Sequence, residues 1–211
     1  MGYPKKLSFG GHVFFVDEKV YEPAEDTFLL AKNLEVEEKE VVLDMGTGCG
    51  ILAVLATEKA KKVVATDINP YAIDCAEKNA ETNRVEDKIE FRLGDLFQPI
   101  RADEKFSLIL FNAPYLPSEP YEEKSWIGRA WAGGPSGRKV IDRFITDALE
   151  FLKADGRILL VQSSLSDIGK TIQRFDETAI KARIVAEGKF PFEKIALIEA
   201  RSRPCLKENS P

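Results

Sequence analysis

Two rhythms of hydrophobic positions alternate along the chain. Short, β-branched apolar runs bounded by glycine or proline are separated by stretches in which apolar residues return every three or four positions. Glu40–Met45 (EVVLDM) is the first run, and it stops at a glycine cluster as a buried strand does. Lys62–Asp67, Ile89–Leu93, Phe106–Asn112 and Arg157–Gln162 read as four further strands. Helices are expected between them: about Gly50–Ala60, then Pro70–Asn83 with Asn69 as N-cap, then Arg138–Lys153 closed by Gly156. A short helix near Ser166–Asp176 precedes two strands, about Ala182–Gly188 and Glu193–Arg201, whose brief connection predicts an antiparallel hairpin. Repeated βαβ units with such an ending predict an α/β, Rossmann-like fold. The expected form is an open, doubly wound seven-stranded sheet with a C-terminal antiparallel hairpin and ligand at the strands' carboxyl ends.

Ahead of this core, Tyr21–Thr27 opens a helix to about Asn33, with Pro23 in its first turn and acidic residues complementing its N-terminus. Leu7–Val20 predicts a hairpin around Asp17-Glu18, so residues 1–20 form an arm, 21–203 the main domain and 204–211 a flexible tail. His12, the only histidine, is assigned no role. Ala113–Gly137 reads as a loop rich in Pro, Gly and Trp. Its Trp126 and Trp131 either form a peptide-binding lip that Gly133-Gly134 lets move, or pack beneath the loop while Ser136 caps the next helix.

Charge and composition narrow the partners. A net charge of −5 leans away from nucleic acid as the main partner. No apolar run approaches the roughly 18 residues of a membrane span, so the expected location is the cytoplasm. Cys49, Cys75 and Cys205 are widely spaced and form no Cys-x-x-Cys pair, against both a disulfide framework and a metal site.

The candidate chemistry gathers at predicted strand ends. Asp44-Met45-Gly46-Thr47-Gly48-Cys49-Gly50 joins a strand to a helix, where glycines let backbone approach a ligand. The loop lacks the Lys-Ser/Thr ending of a phosphate-cradling loop. Asp44 ends the first strand, where a carboxylate suits the cationic amino-acid end of S-adenosylmethionine. Asp67, followed by Ile68, lies roughly 20 residues past the glycines, where a carboxylate can accept from ribose hydroxyls. Asp95 could accept from an adenine amino group while Leu96 covers the ring. Strand four ends in Asn112-Ala113-Pro114-Tyr115, and Pro114 holds residue 113 extended. The Asn112 side-chain oxygen and the carbonyl of residue 113 then offer two adjacent acceptors to a planar –NH2 group, with Tyr115 against its face. Accepting both N–H bonds frees the nitrogen lone pair towards a sulfonium methyl, so positioning supplies most of the catalysis.

These motifs, with Val20–Leu30 (VYEPAEDTFLL), Asp67–Pro70 (DINP) and Ala130–Phe144 (AWAGGPSGRKVIDRF), resemble the HemK-type family of glutamine-N5 methyltransferases, in its short archaeal and eukaryotic branch. The resemblance implies a class I methyltransferase using S-adenosylmethionine, with a class 1 translation release factor as substrate. Asn112 and residue 113 would bind the amide of a Gly-Gly-Gln glutamine, and Tyr115 would pack on it. Thr27, Asp44, Gly46, Thr47, Gly48, Asp67, Ile68, Asp95, Leu96 and Asn112 would contact the cofactor. It also implies a small zinc-binding activator subunit at the sheet edge. Ala113 departs from the family's Asn-Pro-Pro-Tyr, an exchange expected to cost the loop some rigidity. The alternatives are a methyltransferase for an exocyclic base amine of tRNA, rRNA or DNA, and a silent cofactor-binding scaffold.

Overall fold

The computed structural model describes residues 5–178 and 180–202. Its chain order is β1 (Lys5–Phe9), β2 (His12–Val16), α1 (Glu25–Lys32), β3 (Val41–Met45), α2 (Ile51–Ala56), β4 (Lys62–Asp67), α3 (Pro70–Thr82) and β5 (Ile89–Leu93). Then come β6 (Phe106–Asn112), α4 (Trp126–Trp131), α5 (Lys139–Phe151), β7 (Leu152–Ser163), α6 (Ile168–Asp176), β8 (Ile180–Lys189) and β9 (Lys194–Ser202). Seven strands form one sheet in the order β5-β4-β3-β6-β7-β9-β8, parallel except for β9, which runs antiparallel to both neighbours. The Rossmann-like sheet with its C-terminal hairpin is the one the sequence predicts.

Burial follows the strand repeat of two. Leu108, Leu110, Leu159 and Val161 point to a core shared with Leu30 of α1, Ile51 and Val54 of α2 and Ala72 and Cys75 of α3. Ile109, Phe111, Ile158 and Leu160 point to the opposite core, with Ile141 and Phe144 of α5 and Phe175 of α6. Because both faces are covered, these strands are continuously apolar rather than alternating.

Some expectations change. The N-terminal hairpin turns at Gly10-Gly11, not at Asp17-Glu18: Phe9 pairs with His12, and both glycines have positive φ (58° and 80°). A two-residue turn matching the strand twist needs that conformation at both positions, which glycine supplies. Strand β2 then docks on α3. Asn79 and Asn83 each accept from and donate to its backbone, at Phe15 (2.8 and 2.8 Å) and Val13 (3.0 and 2.8 Å). Pro23 lies outside α1, whose N-cap is Ala24. Gly156 does not close α5; the helix stops at Phe151 and Gly156 lies within β7, where a Cβ would come 2.8 Å from the Leu152 side chain. The expected tail, 204–211, lies outside the described residues, as does Cys205. Among the described residues no helix is long and apolar enough to cross a membrane.

Phe144 is fully buried and packs on Phe97 and Phe111, with ring centroids 5.5 and 4.8 Å away. Phe144→Ala is expected to cost about 3–5 kcal/mol in denaturant unfolding, the loss typical of an emptied aromatic core site. A loss below about 1 kcal/mol would mean that this core collapses freely around the gap.

Candidate active site

A cavity of about 820 Å³ opens at the carboxyl ends of β3, β4 and β6. Its floor is the glycine loop between β3 and α2. The three glycines divide the work. Gly50 serves packing: a Cβ there would stand 2.9 Å from that of Ala76. Gly48, at φ 57°, has nothing within 4 Å of that position and faces open space. Its N–H donates to Asp67 Oδ2 at 2.9 Å, so the loop and the end of β4 are joined across the cavity floor.

The aspartates predicted at the strand ends differ in setting. Asp67 lines the cavity and takes a second backbone donor, Asn69, on Oδ1 at 2.8 Å; burial nevertheless pushes its carboxyl up. Ile68, 43% exposed, lines the wall beside it. Asp95 also lines the cavity, but its Oδ2 accepts from Arg143 at 2.7 Å rather than standing open. Leu96 follows in the left-handed region at φ 49°. Asp44 does not line the cavity. It lies buried under the loop, where Oδ2 accepts from the Thr47 hydroxyl (2.6 Å) and the Ala53 N–H (3.1 Å), while Oδ1 has no partner. Burial pushes its carboxyl up to about 7.

At the end of β6, Asn112, Ala113, Pro114 and Tyr115 all reach the cavity, as does Thr27 from α1. Asn112 Nδ2 donates to Asp26 Oδ2 and to Thr27 Oγ1, both at 3.1 Å, and its Oδ1 is buried without a partner. The Tyr115 hydroxyl donates to Asp26 Oδ2 at 3.0 Å. Asp26 is the residue that sequence reasoning missed. Its neighbours at a helix start suggest only a favourable charge on the helix dipole. The sequence carried no separate signal for it, because Glu22 and Glu25 stand in the same stretch.

The loop after β6 is built rather than loose. It contains a 3-10 turn (Glu122–Lys124) and α4. Leu116 and Trp131–Gly133 exchange backbone bonds of 2.9 and 2.8 Å, and Ser118 N–H donates to Gly134 O at 2.9 Å. Gly133 and Gly137 pack against each other, a Cβ on Gly133 lying 2.5 Å from Gly137 O. These glycines therefore permit close approach and are not hinges. Ser136 does not cap α5, whose N-cap is Arg138 without a side-chain bond. Trp126 and Trp131 are half-buried and line the cavity. Among the described residues no group of three or more His, Cys, Asp or Glu converges as a metal site.

Residues 20–126 match the family model for the methyltransferase small domain. A Methanocaldococcus jannaschii protein named "Putative protein N5-glutamine methyltransferase" is 42% identical over 184 residues, 86% of this chain and 91% of the relative. Human methyltransferase HEMK2 is 40% identical over 167 residues, 72% of this chain and 76% of the relative. The chain belongs to the HemK-type protein N5-glutamine methyltransferases. The fold is shared with a chain in the structure of the E. cuniculi Mtq2–Trm112 complex, with a TM-score of 0.64 at 24% identity over 88% of this chain and 99% of that one. In this HemK-type chain one cavity joins the glycine loop and Asp67 to an unpaired amide oxygen, Asn112 Oδ1.

Two outcomes follow for this site. Gly137 has φ 70°, and a Cβ there would stand 2.3 Å from the Tyr115 carbonyl. Gly137→Ala is expected to lower kcat by about 100-fold, the cost of a shift on the order of 1 Å in a positioning segment; a wild-type kcat would show that the clamp does not position Tyr115. Asp44, raised from an ordinary 3.8 to about 7, takes up a proton on folding. Its ionisation opposes folding, so the ligand-free protein loses stability as pH rises from about 4 to about 7. Thermal melts of Asp44→Asn across that window should slope less than wild type, and an unchanged slope would place the titration elsewhere.

Proposed function

We propose that this methyltransferase takes the methyl group of S-adenosylmethionine and places it on the side-chain amide nitrogen of the glutamine in a Gly-Gly-Gln sequence of a class 1 translation release factor, in the cytoplasm. The observation that carries the reading is Asn112 Oδ1, a buried acceptor without a partner at the wall of the cavity. A buried acceptor left unpaired is costly, on the order of 1–3 kcal/mol, and a substrate N–H relieves that cost. The carbonyl of Ala113 supplies the second acceptor, so a primary amide meets both of its N–H bonds. Tyr115 closes one face, and its hydroxyl is already committed to Asp26.

The residues present fit S-adenosylmethionine. Asp67 would accept from the ribose, Asp95, Leu96 and Ile68 would surround the adenine, and Gly46, Thr47, Gly48 and Thr27 would run beside the sulfonium and amino-acid end. Asp44 behind the loop keeps one oxygen without a partner, and a ligand ammonium nearby would favour its ionised form. S-adenosylmethionine when bound supplies an electrophilic methyl with a good leaving group. The protein's own part is then to orient the amide nitrogen, hold its lone pair towards that methyl and exclude water.

A small zinc-binding subunit at the sheet edge belongs to the same proposal. It is supported by the outer strand β5, which leaves Leu93 56% exposed, and by the Trm112 partner named with the Mtq2 neighbour.

The decisive assay offers radiolabelled S-adenosylmethionine with purified release factor carrying Gly-Gly-Gln or Gly-Gly-Ala, with and without the small subunit, beside total RNA. Label on the Gln form alone is expected. Label on RNA and none on protein would replace this reading with methylation of an exocyclic base amine. Asn112→Ala is expected to lower kcat at least 100-fold while cofactor affinity stays within about threefold, as removal of a group acting in the transition state requires.

A further inference from the structure

We propose that Asp26 is the positioning residue that decides which atom of Asn112 meets the substrate, an inference that rests on the glutamine-amide reading above. A carboxamide has two faces of similar shape and opposite polarity, and only its surroundings choose between them. Here both N–H bonds of Asn112 are committed, one to Asp26 Oδ2 and one to Thr27 Oγ1, each at 3.1 Å. Thr27 can accept because its own hydroxyl hydrogen is directed at Asp26 Oδ1, 3.2 Å away. An ionised carboxylate accepts and cannot donate. Turning Asn112 over would set its oxygen 3.1 Å from Asp26 Oδ2, breaking two hydrogen bonds and creating a repulsion. The orientation with Oδ1 towards the substrate is therefore the one that Asp26 enforces.

The rest of its surroundings fits this role. Asp26 is only 6% exposed, and among the described residues it takes part in no ion pair with Lys, Arg or His. Its charge is met by hydrogen bonds alone: the Thr27 N–H at 2.6 Å, the Thr27 hydroxyl, Asn112, the Tyr115 hydroxyl at 3.0 Å and the Tyr21 hydroxyl at 3.1 Å. Burial, and after it the charge of Asp26, pushes both tyrosine hydroxyls well above their ordinary range, so both remain donors. A carboxylate buried for stability alone would be better served by a cation or by an apolar replacement. This one collects donors from α1 and β6, and leaves one acceptor free where the amide must dock.

Asp26→Asn separates the two roles because it keeps the shape. The Thr27 N–H is a fixed donor and holds the new side chain's oxygen at the Oδ1 position. The new –NH2 must then occupy the Oδ2 position, facing Asn112 Nδ2. Asn112 turns over and presents –NH2 to the substrate's –NH2. At saturating cofactor, single-turnover methyl transfer to the Gly-Gly-Gln protein is expected to fall at least 100-fold, with cofactor Kd within about threefold and Tm within a few degrees. Asp26→Ala leaves Asn112 on Thr27 alone and should lose less activity than Asp26→Asn. A purely structural role gives the opposite order, with activity tracking Tm, and that order overturns the proposal. So does an Asp26→Asn protein with more than half the wild-type kcat. If neither variant folds, Asp26→Glu decides: it keeps a carboxylate but displaces it, so single-turnover transfer at saturating cofactor must fall at least tenfold with cofactor Kd within about threefold, and a wild-type rate overturns the proposal. Asn112→Ala is run in parallel. If it stays active, the glutamine-amide reading fails; if it is inactive while Asp26→Asn is not, only the role of Asp26 fails.

Discussion

A parallel sheet opens a ligand crevice where neighbouring strands send their connections to opposite faces, and here that place lies between β3 and β6. Their register pairs Asp44 with Leu110 and Met45 with Phe111. The backbone leaving β3 as the glycine loop thus emerges beside the backbone leaving β6 as Asn112-Ala113-Pro114-Tyr115. A Cβ on Gly46 would lie 3.5 Å from the Phe111 ring, which shows how closely the two exits pass. The glycine loop and the Asn112–Tyr115 segment are neighbours because of this one pairing. A slip of one residue would turn Asn112 to the other face of the sheet.

Around that opening the protein keeps carboxylates with little countercharge. Asp26, Asp44 and Asp67 are each held by backbone N–H groups, hydroxyls or an amide. Burial pushes Asp44 and Asp67 up despite those bonds. A cation beside Asp44 or Asp67 would offset that cost of burial and favour the ionised carboxylate. Asp95 is the exception, since it already holds Arg143.

Ala113 stands where the family has proline, and the stiffness expected to be lost is supplied from outside the motif. The bonds of Leu116 and Ser118 to the Trp131–Gly134 segment, and the close fit of Gly137 under the Tyr115 carbonyl, restrain the chain directly after Pro114. The Ala130–Phe144 motif thus has a physical meaning: its glycines let two backbones touch, and what they touch is the turn that follows β6. The same packing turns α4 and its tryptophans into a fixed wall.

Strand cores, their order of appearance and the C-terminal hairpin were legible in the sequence, because buried parallel strands are short apolar runs and their crossovers carry helical periodicity. That positions 46–48, 67 and 112–115 would line one cavity was legible for a related reason: glycine, aspartate and Asn-x-Pro at strand ends are local signals with local chemistry. The Gly10-Gly11 turn, the stop of α5 at Phe151 and the inner structure of 113–137 were not, since neighbours distant in sequence select them over comparable local alternatives. Asp44 and Asp26 mark the boundary. By itself the sequence determined that acids stand at a strand end and a helix start; it could not say which one faces the ligand. Tertiary structure alone placed Asp44 beneath the loop and brought Asp26 across 86 residues to Asn112, because a carboxamide's direction is chosen by whatever donor or acceptor the fold sets beside it.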